Sequence, residues 1–85
     1  MRADFEYGAF LIVIEGEIGN LKVCVWDRQI QPQGQKGIGR VVCEIDNLES
    51  INSAKDAAAE CIAADSRGDV KTIRLGIQPY GLRHE

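Results

Sequence analysis

The sequence predicts an α+β domain, an antiparallel sheet of about four strands in the order β-β-β-α-β with one helix packed on one face. Three observations carry that expectation. Runs of β-branched and aromatic residues at 5–15 and 21–27 flank a short connection containing Gly16 and Gly19. Residues 40–46 alternate apolar and polar, and only one stretch, beginning near Leu48, repeats its apolar residues at helical spacing. The 85 residues suffice for a single domain, 1–85.

Taken in order, FEYGAFLIVIE (5–15) reads as the first strand, closed by Gly16 and Gly19-Asn20, and LKVCVWD (21–27) as the second, across a connection short enough for a hairpin. Residues 28–39, RQIQPQGQKGIG, follow neither period and form a long Gln/Gly-rich loop. RVVCEID (40–46) places Val41, Cys43 and Ile45 on one side, as in a half-buried strand. Asp46-Asn47-Leu48-Glu49 has the form of a capping box, with Ser50 as a second candidate cap. The helix is expected to run to about Arg67 and end at Gly68. Its stripe is Leu48, Ile51, Ala54, Ala58, Cys61 and Ile62, and the alanines allow close approach to a sheet. VKTIRLGI (70–77) puts Ile73, Leu75 and Ile77 at alternate positions and reads as the last strand, before an irregular tail at 78–85.

Composition excludes several classes. With 45% hydrophobic and 27% charged residues the chain should fold, and its net charge of −3 argues against a dedicated nucleic-acid binder, which draws affinity from Lys and Arg on phosphates. The N-terminus has no secretory pattern, and the longest apolar run, Ala9 to Ile14, is far short of the ~20 residues of a membrane span. Cys24, Cys43 and Cys61 are odd in number and lack metal-like spacing. Three free thiols in a reducing cytoplasm are therefore expected, with no metal or other cofactor.

The most informative feature is an excess of apolar strand residues. In the first strand both parities are apolar: Leu11 and Val13 on one, Phe10, Ile12 and Ile14 on the other. One helix covers one face, so the other is expected to expose some of Phe10, Ile12, Ile14, Cys24, Trp26 and Val42. That surface predicts a homo-oligomer, most simply a dimer, with Trp26 as its leading anchor. The alternative covering is the tail, through Tyr80 and Leu82, or the loop, through Ile30 and Ile38.

Other constellations are better explained by structure. The three cysteines with His84 have the residue types of a zinc or nucleophile site, but each cysteine occupies an apolar slot. Gly34-Gln35-Lys36-Gly37 has the Gly-x-x-Gly form of a backbone-clamping loop, here leading into a strand. Arg28, Gln31, Gln33, Gln35, Lys36 and Arg40 are the side chains a ligand or nucleic acid would meet there. Glu15 and Glu17 read as a solvated turn, and Asp56 and Glu60 as the polar side of the helix.

The order of three strands, an Ala-rich helix and a fourth strand, over roughly 10–77, resembles the partial ribonuclease-H-like domain of HicB-type antitoxins. Asp46 to Ser50 supplies a similar polar helix opening with a Glu in it. The Pro-containing motif of such domains between strands two and three is not reproduced by Gln31-Pro32-Gln33-Gly34, and the chain has no room for an added DNA-binding domain. The resemblance implies an inhibitory, partner-binding role and carries over no functional residue. The residues themselves favour a non-enzymatic protein-interaction module. A small-molecule site or small enzyme at a subunit interface is the alternative, and a nucleic-acid-contacting regulator using 28–40 the third.

Overall fold

The computed structural model describes residues 1–29 and 39–80. Its strands are β1 (Arg2–Tyr7), β2 (Phe10–Glu17), β3 (Asn20–Asp27), β4 (Arg40–Leu48) and β5 (Gln78–Pro79). The helices are α1 (Ile51–Ser66) and α2 (Val70–Gly76). The strands form one sheet in the order β4-β3-β2-β1-β5, every neighbouring pair antiparallel. This is the α+β architecture the sequence predicts, with one strand and one helix more.

The core lies between sheet and helix. Ile12 and Ile14 of β2 and Leu21, Val23 and Val25 of β3 have no exposed surface, and neither do Ala54, Ala58, Ala59 and Ile62 of α1. Burying each large side chain completely contributes about 1.5–3 kcal/mol. Phe5, Ile73 and Ile77 close the same cluster on the β1 side. The Lys55 ammonium sits 4.5 Å from the centre of the Phe5 ring, so its alkyl stem extends the cover while its charge meets the π face.

Five expectations change. The single first strand is two strands, because Tyr7 and Phe10 pair across Gly8-Ala9 and Gly8 has φ +58°. A two-residue hairpin with Gly first needs that left-handed backbone, and the surrounding apolar run hides the turn. The helix is capped by Ser50, whose hydroxyl accepts from the Ser53 N–H at 3.1 Å, whereas Asp46 remains within β4. At the other end Arg67 takes the left-handed conformation, φ 62°, one residue before Gly68.

The expected last strand is helical. Asp69 caps α2 by accepting from the Thr72 N–H at 3.0 Å and the Thr72 hydroxyl at 2.9 Å. Ile73 and Ile77, four apart, are both buried, whereas Leu75 between them is 73% exposed. Spacing of four suits a helix as well as a strand, and Leu75 decides between them. An ion pair from Arg74 to Asp56 holds α2 on α1. The strand role passes to β5, two residues long, on the outer side of β1.

Finally, Cys43 of β4 and Cys61 of α1 form a disulfide with Cα atoms 6.6 Å apart, leaving Cys24 as the free cysteine. The expectation of three free thiols fails because a sequence separation of 18 carries no local signature. The bond ties the edge strand to the helix. The Arg40 guanidinium adds a second tie, reaching both Asp65 carboxylate oxygens at 3.1 Å.

Opening that loop of 18 residues should cost about 3 kcal/mol on the chain-entropy model. Denaturant unfolding with and without a reducing agent, and of Cys43→Ala/Cys61→Ala, checks this; equal midpoints contradict the crosslink. Ser50→Ala should cost about 1 kcal/mol and Asp46→Ala much less, since only the former is a cap.

Candidate interaction surface

Alternation along the strands sorts the sheet into two faces. α1 packs over the face carrying Ile12, Ile14, Val23 and Val25. α2 packs against α1 on the same side. Among the described residues the opposite face carries no helix, and the strand register arranges it in three rows. Glu6, Leu11, Trp26 and Val41 stand side by side across β1 to β4. Next come Asp4, Val13, Cys24 and Glu44, then Arg2, Glu15 and Lys22. The register shift between Leu21 and Val23 brings Asp46 to the end of the third row, where it shares a hollow with Glu15 and Lys22.

This face is graded. One end is apolar from β2 to β4, with Leu11 and Trp26 half-buried and Val41 42% exposed beside Glu6 of β1, while the other end alternates positive and negative side chains. Between them Val13 and Cys24 are almost fully buried without a helix above them. Arg2, Glu15, Lys22, Glu44 and Trp26 surround them and line a shallow hollow of about 290 Å³. Long charged side chains cover apolar surface with their stems while keeping their heads in water.

The register therefore corrects the membership of the predicted patch. Cys24 and Trp26 lie on the helix-free face as expected. Ile12 and Ile14 do not: they pair with Val25 and Val23 and are sealed beneath α1. Phe10 and Val42 are half-buried and also pack against the core. Because the β2–β3 partners' numbers sum to an odd value, even residues of β2 share a face with odd residues of β3. Leu11, Val13 and Val41 take the vacated places. The two-residue turn Ile18-Gly19, between the paired Glu17 and Asn20, holds that register and was the signal that could have found them.

Of the predicted loop residues, Gln31, Gln33, Gln35 and Lys36 lie outside the described residues. So do His84 and Leu82 of the tail and Ile30 and Ile38 of the loop. Arg28 and Arg40, which flank the loop, are both engaged. Arg28 lies 3.7 Å from the Glu6 carboxylate and 5.4 Å from the centre of the Tyr80 ring. Arg40 holds Asp65 and stands 3.9 Å from the buried Asp27 carboxylate. Both cations already face carboxylates. Among the described residues no group of three or more His, Cys, Asp or Glu could hold a metal ion.

Cys24 meets the Glu44 carboxylate, Sγ to Oε2 3.8 Å. Burial, and next the negative charge of Glu44, push its thiol above the ordinary value. Such a thiol is a weak nucleophile at neutral pH.

No family model matches the chain, and no curated protein or solved structure is significantly similar to it. The surface must be interpreted from its own geometry.

Alkylation of Cys24 in the folded domain should be slow at pH 8 and quicken only above the ordinary thiol range. Glu44→Gln should speed it at fixed pH by removing the second cause while leaving burial in place. Mass-spectrometric labelling rates decide, and a wild-type rate equal to that of the unfolded chain contradicts the assignment.

Proposed function

We propose that this domain is a non-enzymatic protein-association module that self-associates, most simply as a dimer, through its helix-free sheet face. The observation that carries the reading is the row Leu11–Trp26–Val41, an apolar band on a face without a helix that runs out to β4. Trp is the residue type most enriched at binding hot spots, and a central, half-buried Trp flanked by aliphatic side chains is the usual form of such an anchor. The position of β4 reinforces this. It is an edge strand with β3 as its one strand neighbour among the described residues, so its outer N–H and C=O groups are open to pairing. An 85-residue chain also gains much from association, because so short a domain buries only a little over ~60% of its unfolded surface.

The antitoxin-like inhibitory role enters as a narrower form of this proposal, in which a second protein occupies the same band. The cytoplasmic setting belongs to the proposal as well. No helix among the described residues is long and apolar enough to cross a membrane. The disulfide removes the support that three free thiols gave this setting, and in a reducing compartment, where such bonds are rare, the domain would depend on the core beneath α1.

Light scattering coupled to size-exclusion chromatography should give a dimer for the wild type. Val41→Glu should raise the dissociation constant at least tenfold, since it places a negative charge in the apolar band while sparing the core. A wild type that stays monomeric at high concentration overturns the proposal, and a dimer indifferent to Val41→Glu moves the contact elsewhere.

A further inference from the structure

Resting on the self-association reading, the geometry points, we infer, to one particular dimer: two copies face to face about a two-fold axis parallel to the strands, between β2 and β3. Sheets packed in this way lie ~10 Å apart with strands within about 30° of alignment. The charges on the face choose among the possible axes. An axis perpendicular to the strands would lay the charged end of one copy over the apolar band of the other, setting Trp26 against Lys22 of the partner copy. An axis along the strands keeps each row over its own counterpart, so that Leu11 and Trp26 meet apolar side chains and the alternating charges of the third row meet one another.

Position across the sheet is then decided by sign. Centred on β2, the axis would stack Glu15 on its own copy and Arg2 on Lys22 of the partner copy. Centred on β3, it would stack Lys22 on its own copy and Glu15 on Asp46 of the partner copy. Centred between the two strands, Glu15 faces Lys22 of the partner copy, and Arg2 faces its Asp46. The two-fold axis repeats both contacts. Leu11 meets Trp26 of the partner copy, the already buried Val13 and Cys24 add little, and Glu6, beside Arg28, lies over the partner's Val41 at the rim. The one like-charged approach, Asp4 to Glu44 of the partner copy, falls where each carboxylate already has a donor: Arg2 for Asp4, the thiol of Cys24 for Glu44.

The size of the contact follows from the lattice of the sheet. Four strands ~4.8 Å apart and three rows ~6.8 Å apart, with side-chain margins, cover roughly 500 Å² per copy. The total approaches the ~1,000 Å² of the smallest specific interfaces, so the dimer should be weak and dilute apart.

Charge reversal followed by mixing tests the arrangement. Glu15→Lys and Lys22→Glu should each weaken dimerisation at least tenfold, because each homodimer sets like charges against one another. Mixed one to one, the two variants should recover a heterodimer near wild-type affinity, read by sedimentation equilibrium and native mass spectrometry. Within one chain Glu15 and Lys22 are cross-strand neighbours, and mixing cannot repair a defect there, so recovery reports the contact between copies. Far-UV circular dichroism confirms folding, and Arg2→Glu mixed with Asp46→Arg is a second pair if either first variant misfolds. A dimeric wild type whose single variants remain dimeric, or whose mixture stays monomeric, overturns this arrangement but leaves self-association standing. A monomeric wild type overturns both.

Discussion

The close approach of α1 to β2 and β3 is the constraint on which the rest of this domain depends. Ala54, Ala58 and Ala59 contribute no side chain beyond Cβ, so the helix settles directly onto Ile12, Ile14, Val23 and Val25. A single helix can cover only one face. Once it covers the face of Ile12, alternation along every strand sends Leu11, Val13, Cys24 and Trp26 to the other. The core and the candidate surface are two consequences of one packing choice.

Attachments along β4 and α1 keep that choice in place. Cys43–Cys61 crosslinks the two elements and Arg40 grips Asp65 beyond it, while the Gly19 N–H of the β2–β3 turn donates to the carbonyl of Glu49 in their connection. They are unequal in strength. A partly exposed ion pair is worth at most about 1 kcal/mol, whereas the crosslink removes conformational freedom from the unfolded chain. α2 is more lightly held. Hydrogen bonds from the Thr72 N–H, and next its hydroxyl, hold the Asp69 carboxyl below its ordinary value. With the folded pKa depressed, the cap contributes fully above the unfolded value and is lost as pH falls through the folded one.

The helix-free face combines attraction with selectivity. Its apolar end supplies a band for contact, and its charged end penalises any partner whose signs fall out of register. The two sheet edges differ in the same sense. At the β5 edge Pro79 lacks a backbone N–H and so blunts further pairing, while the nine residues of β4 form the long edge.

Much of this was legible in the residues themselves. The α+β class, the strands around 21–27 and 40–46, the alanine-striped helix and the importance of Trp26 follow from periodicity and side-chain shape, which act locally. Gly8 concealed a hairpin because the residues around it are apolar on both sides, and VKTIRLG satisfied two periods at once until the exposure of Leu75 separated them. Three things belonged to the tertiary structure alone. These are the register that sets Leu11 rather than Ile12 beside Trp26, the disulfide between residues 18 apart, and the engagement of Arg28 and Arg40. Each depends on which segments meet in space, and neither composition nor period encodes that: the same alternating strand buries either face until a partner strand and a helix choose one.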